Sequence, residues 1–129
     1  MPTTSNLQEP IKDENAAHPI ASAWRPALQE AIKRFAQGHY SLAGIRSMEP
    51  ISEATADHIR KSIENYGETL ADLPDETWET SVCQWMRTHW DVLVDLWTVE
   101  SGKSDLALSA RVFEVENGFR IEIDSVHVP

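Results

Sequence analysis

The sequence is poor in cysteine, in glycine and in positive charge, and each scarcity excludes something. Its single cysteine, Cys83, cannot form an internal disulfide, which suits a reducing compartment. The five glycines build no phosphate-cradling loop, no Gly-x-Ser-x-Gly elbow is present, and neither is a His-Glu-x-x-His zinc helix. No apolar run approaches the roughly 20 residues that a membrane-spanning helix needs. The start, Met1-Pro-Thr-Thr-Ser5, lacks both the basic and the apolar part of a secretory signal, so a cytoplasmic location is expected. Eleven Lys and Arg stand against 21 Asp and Glu. The resulting net charge of −10 repels phosphate backbones and argues against nucleic acid as a direct partner.

What is present is a globular composition, 41% hydrophobic and 25% charged. Its length suits one domain that buries roughly two-thirds of the unfolded chain's surface. The charge is uneven. Residues 1–63 balance seven acids with seven bases, whereas residues 64–129 hold 14 acids and only Arg87, Lys103, Arg111 and Arg120. Glu64, Glu68, Asp72, Asp75, Glu76 and Glu79 form a run with no base in it. Such a stretch is either a solvated surface or a docking face, because a one-signed patch speeds encounter with a basic partner.

Residues 1–17 carry Pro2, Pro10 and no apolar periodicity, which reads as a disordered tail, with residues 18–129 as one domain. Ala27, Leu28, Ala31, Ile32 and Phe35 recur at helical spacing and predict a helix over Ala23–Gln37, capped by Ser22 and closed by Gly38. Ser52 and Gly67 bracket a second helix with Ile59, Ile63 and Tyr66 on one face. Asp75-Glu76-Thr77-Trp78 suits a short helical turn. From Trp90 the period becomes two: Val92, Val94 and Leu96 alternate with Leu93, Asp95 and Trp97, and two later stretches alternate likewise. Asn117-Gly118 predicts a type I′ hairpin. Thr80–Met86 is a candidate fourth strand turning at Arg87-Thr88, although Trp78, Val82 and Trp85 also fit a helix. The expected fold is α+β, two N-terminal helices packed on a three- to four-stranded antiparallel meander sheet. Its second face, with Leu93 and Trp97, is unusually apolar and so is either covered or used.

Chemistry is sparse. The five histidines have no metal-ligand spacing, and neither a metal nor a cofactor is expected. Cys83 with His89 or His127 and Asp91 makes a nucleophile set on paper, but aromatic and acidic surroundings raise a thiol's pKa, so a buried core cysteine is the better reading. Asp91 and Asp95 lie roughly 13 Å apart along one strand face, too far to act on one bond. Asp95 suits capping a turn or pairing with Arg111. Trp78, Trp85, Trp90 and Trp97 fall within twenty residues, where aromatics either build a core or anchor an interface.

From about His18 onward the chain resembles a family of small bacterial domains without an assigned activity. The matching words are Tyr66-Gly-Glu-Thr-Leu70, Leu73-Pro74 with Glu76-Thr-Trp-Glu-Thr80, Trp90-Asp-Val-Leu-Val-Asp-Leu-Trp-Thr98, and Ser101-Gly102 with Ser104-Asp-Leu106. The resemblance implies no catalytic residue. Separately, Phe35-Ala-Gln-Gly-His-Tyr40 resembles the end of the first helix in cone-shaped folds of the nuclear-transport-factor type.

Three readings follow. The first is a non-enzymatic, acidic binding protein, an immunity protein or antitoxin that neutralises a basic toxin. It would use Glu68, Asp72, Asp75, Glu76 and Glu79, with Trp78 as anchor. The second is a cone-type ligand binder or enzyme whose pocket is lined by Trp85, Trp97, Asp95 or His127. The third is an adaptor that forms a homodimer through the second sheet face.

Overall fold

The period-two stretches become strands, and their alternation sorts side chains between two faces of one sheet. The computed structural model describes residues 7–129. Five antiparallel strands lie side by side in chain order: β1 (His18–Pro19), β2 (Val82–Trp85), β3 (Trp90–Thr98), β4 (Gly102–Val115) and β5 (Gly118–His127). Helices α1 (Arg25–Ala36) and α2 (Glu53–Tyr66) both fall in the connection between β1 and β2. The fold is therefore α+β with an antiparallel meander, as expected. It has one strand more than expected, and that strand precedes the helices.

In β3, Trp90, Val92, Val94 and Leu96 turn inward and are at most 2% exposed. They share one core with Trp24, Leu28, Ile32, Phe35, Ile59 and Ile63. Burying each such side chain contributes about 1.5–3 kcal/mol, so this layer is the main source of stability. Trp90 is its hub: its ring centroid lies 5.1 Å from that of Trp24 and 4.6 Å from that of Trp85.

Helix α2 begins and ends as its sequence requires. The Ser52 hydroxyl accepts from the Thr55 amide at 3.2 Å, and Gly67 closes the helix in the left-handed region, φ +85°, where a side chain would strain the backbone. Helix α1 departs from expectation at its start. A 3₁₀ turn, Ser22–Trp24, leads into it, and the Ser22 hydroxyl accepts from the Gln8 amide at 2.7 Å instead of capping the helix. The β4–β5 hairpin is also one residue out of the expected phase. Val115 pairs with Gly118, so Glu116 and Asn117 are the central residues, and only Asn117 of the two has positive φ. A type I′ turn requires both.

Within Thr80–Met86 the strand alternative holds, as Val82–Trp85, and the short helical turn read at Asp75–Trp78 is a 3₁₀ turn over Asp75–Glu79. The expected tail spanned residues 1–17. Its first six lie outside the described residues, but residues 7–17 run across the sheet's end as a strap. The Trp90 indole N–H donates to the Ile11 carbonyl at 2.9 Å, and Arg87 grips the Glu14 carboxylate with two bonds of 2.8 and 2.9 Å.

Candidate functional site

The acidic run is shaped by what lies beneath it. Pro74 cannot donate to a helix turn, so the 3₁₀ turn starts after it, at Asp75. Thr77 is fully buried, and its hydroxyl donates to the Asp95 carbonyl at 2.6 Å. The Asp95 amide donates to the Ser81 hydroxyl at 2.9 Å, and the Thr80 hydroxyl donates to the Asp95 carboxylate. These bonds dock the turn on β3 where the β3–β4 register shifts, between Asp95 and Trp97. Of the two roles read for Asp95, capping a turn or pairing with Arg111, its carboxylate takes the first, holding Thr80 with Lys103 at 3.7 Å. Arg111 pairs with Asp124 at 2.9 Å and with Glu122 at 3.3 Å.

With Thr77 and Trp78 turned inward, Asp75, Glu76 and Glu79 face solvent, as does Asp72 just upstream. Among the described residues none of these four forms an ion pair, as Glu9, Glu49, Glu53, Asp105 and Glu116 also do not, whereas Asp57, Glu64, Glu114, Glu122 and Asp124 do. They form a rim of exposed carboxylates on a braced backbone, with the Arg25 guanidinium acting on Asp75 through space.

Two of the six residues read as partner-binding belong elsewhere. Trp78 is only 7% exposed. The Arg25 guanidinium lies 5.3 Å from its ring centre while donating to the Ile20 carbonyl, and burial pushes the Arg25 pKa down. Trp78 is a core residue and cannot project into a partner, because the short helical turn points it at the interior. Glu68 is an internal brace: Thr98 donates to one of its oxygens at 2.7 Å and Ser101 to the other at 2.8 Å. Sequence reasoning missed Thr77 and Ser81, whose alternation with acidic neighbours was the one available signal.

The second sheet face is mixed: Val82, Leu93, Trp97, Ala107 and Phe113 share it with Gln84, Asp91, Ser109, Arg111, Glu122 and Asp124. An open depression of about 350 Å³ there is lined by Val82, Leu93, Asp91, Ser109 and Asp124 among others. Trp97, Asp95 and His127 lie on this face, while Trp85 packs against Trp90 on the other, so the four residues of the cone-type pocket are not brought together. The Cys83 set is not assembled either. The Cys83 thiol donates to the Pro19 carbonyl at 3.4 Å, and burial pushes its pKa up to about 11. His89 bonds to Thr88 and to Asp91. Among the described residues no three His, Cys, Asp or Glu side chains converge as a metal site would require.

Fold and rim together define a small two-layer α+β domain with an exposed acidic edge. The chain belongs to the family described as Domain of unknown function (DUF7668), whose model matches residues 32–129. No curated protein and no solved structure matches it. The matched span begins within α1 and leaves the strap and β1 outside.

Proposed function

We propose that this domain binds a basic protein through Asp72, Asp75, Glu76 and Glu79, and that it acts as an immunity protein or antitoxin by covering a basic toxin. The observation that carries the reading is the rim itself: four exposed carboxylates that form no ion pair among the described residues, beside a turn anchored by buried Thr77 and Ser81. An anchored turn loses little freedom on binding, so complementarity is not spent on ordering it. Unpaired like charges raise the association rate with a basic surface and make that rate fall with salt.

The test has two stages. Tagged protein is used to isolate a partner from its host at low salt, and association is then measured with the parent and with Asp72→Asn/Asp75→Asn/Glu76→Gln/Glu79→Gln. The expected result is a stoichiometric basic partner whose association is slowed at least tenfold in the variant at low salt, with a flattened salt dependence. An association rate indifferent to the four substitutions overturns the proposal.

A further inference from the structure

Helices α1 and α2 pack on the sheet face that carries Trp90, Val92, Val94 and Leu96, and they leave the opposite face without a helix layer. On that opposite face Val82 is 37% exposed, and Leu93, Trp97 and Phe113 are half-buried. Strand rise and spacing make the face about 30 Å by about 20 Å, on the order of 600 Å² before corrugation, near the roughly 800 Å² that each partner gives to a stable interface.

Its charge sets it apart from the rest of the chain. Of the four bases in residues 64–129, Lys103, Arg111 and Arg120 all stand on this face, against Asp91, Asp95, Glu122 and Asp124. Only one unit of the net charge of −10 therefore falls here. Each cation already meets a carboxylate: Lys103 lies 3.7 Å from Asp95, Arg111 2.9 Å from Asp124 and Arg120 2.9 Å from Glu122. The two guanidiniums also flank one apolar ring, 5.8 and 4.9 Å from the Phe113 centre.

We propose that a second copy of this chain docks on this face, with a twofold axis setting the two sheets face to face. Two chains of net charge −10 repel each other over most of their surface, and the exposed carboxylates of the rim add to that repulsion. Here it falls away. Cations and carboxylates are interspersed on the face, so a twofold copy offers each guanidinium a second carboxylate and each carboxylate a second cation. Charges that enter the interface already paired avoid the costliest outcome, a lone buried charge. A basic partner is drawn to the rim instead, because this face has almost no net charge to attract it. The dimer is thus independent of the toxin-binding reading.

The test is the oligomeric state of the full chain by sedimentation equilibrium. The parent is expected to dimerise at micromolar concentration. Leu93→Glu puts an extra charge in the middle of the face, and Ser109→Lys fills the depression beside it. Each is expected to weaken the dimer at least tenfold while the far-ultraviolet circular dichroism stays parental. The rim variant Asp72→Asn/Asp75→Asn/Glu76→Gln/Glu79→Gln is expected to dimerise no more weakly than the parent. A parent that stays monomeric into the high micromolar range overturns the proposal. So does a dimer that ignores both face substitutions, or one that is lost when the rim is neutralised. Should Leu93→Glu fail to fold, Ser109→Lys decides the matter alone.

Discussion

Glu68, in the loop after α2, meets Thr98 at the end of β3, the buried threonine hydroxyl donating to the carboxylate at 2.7 Å. Glu100 closes the same region from the other side, accepting from the Thr69 amide and from its hydroxyl at 2.8 Å each. Those bonds lower the Glu100 pKa. The loop after α2 is thus buckled to the turn by two carboxylates. Hydrogen bonds to charged groups contribute about 1.5–3 kcal/mol, discounted here for partial exposure. Glu68→Ala is therefore expected to cost about 1–2 kcal/mol in urea unfolding while leaving association at the rim unchanged. A Glu68→Ala protein of parental stability would show that the buckle is ornamental.

Trp78 supplies the complementary case. Its truncation to alanine removes a large buried ring, and such changes cost about 3–5 kcal/mol. The salt dependence of association should stay parental, because no charge is lost. Neutralising Glu76 or Glu79 should do the reverse, with stability changed by less than about 0.5 kcal/mol.

Thr77→Val keeps the shape and deletes the 2.6 Å bond to the Asp95 carbonyl, leaving that acceptor buried. A cost of about 1–3 kcal/mol is expected. Amide exchange should accelerate over residues 75–81 before it does so in β4, since the turn loses its anchor first.

Cys83 should resist alkylation by iodoacetamide at pH 8. Its pKa of about 11 leaves almost no thiolate, and the residue is buried. Urea should restore ordinary thiol reactivity. Rapid labelling of the folded protein would contradict the packing of β1 on β2.

The strap gives a pH dependence of defined sign. The hydrogen bond with His18 lowers the Asp13 pKa, and the bonds from Arg87 lower that of Glu14. Carboxylates depressed in the attached state favour attachment above the ordinary carboxylate range, and that contribution disappears as pH falls through and below it. Between pH 7 and pH 3, the protection factor of the Trp90 indole N–H, corrected for its intrinsic exchange, should fall before the far-ultraviolet circular dichroism changes.

Much of the architecture was legible because local rules and burial agreed. Ser52 and Gly67 mark α2 by cap chemistry, and Trp90, Val92, Val94 and Leu96 mark the core face of β3 by alternation. β1 was not legible: two residues, His18 and Pro19, carry no period, and their pairing with Cys83 and Val82 is tertiary. The strap escaped for the same reason, since Glu14 finds Arg87 only across 73 residues of chain. In the acidic run the charge was visible from composition. The inward turn of Trp78 was not, because a five-residue 3₁₀ turn is too short to set a phase.

The placement of both helices between β1 and β2 also sets an order of events during folding. β2 to β5 are joined by short turns, so their pairing closes small loops at low entropic cost. Pro19 and Cys83 stand 64 residues apart, and the strap reaches still further to Trp90 and Glu114. On a ribosome the strap emerges before the strands it docks on and waits until β4 follows. Its arrival over Trp85 and Trp90 is therefore expected as a late step that a stopped-flow trace should separate from the meander's collapse.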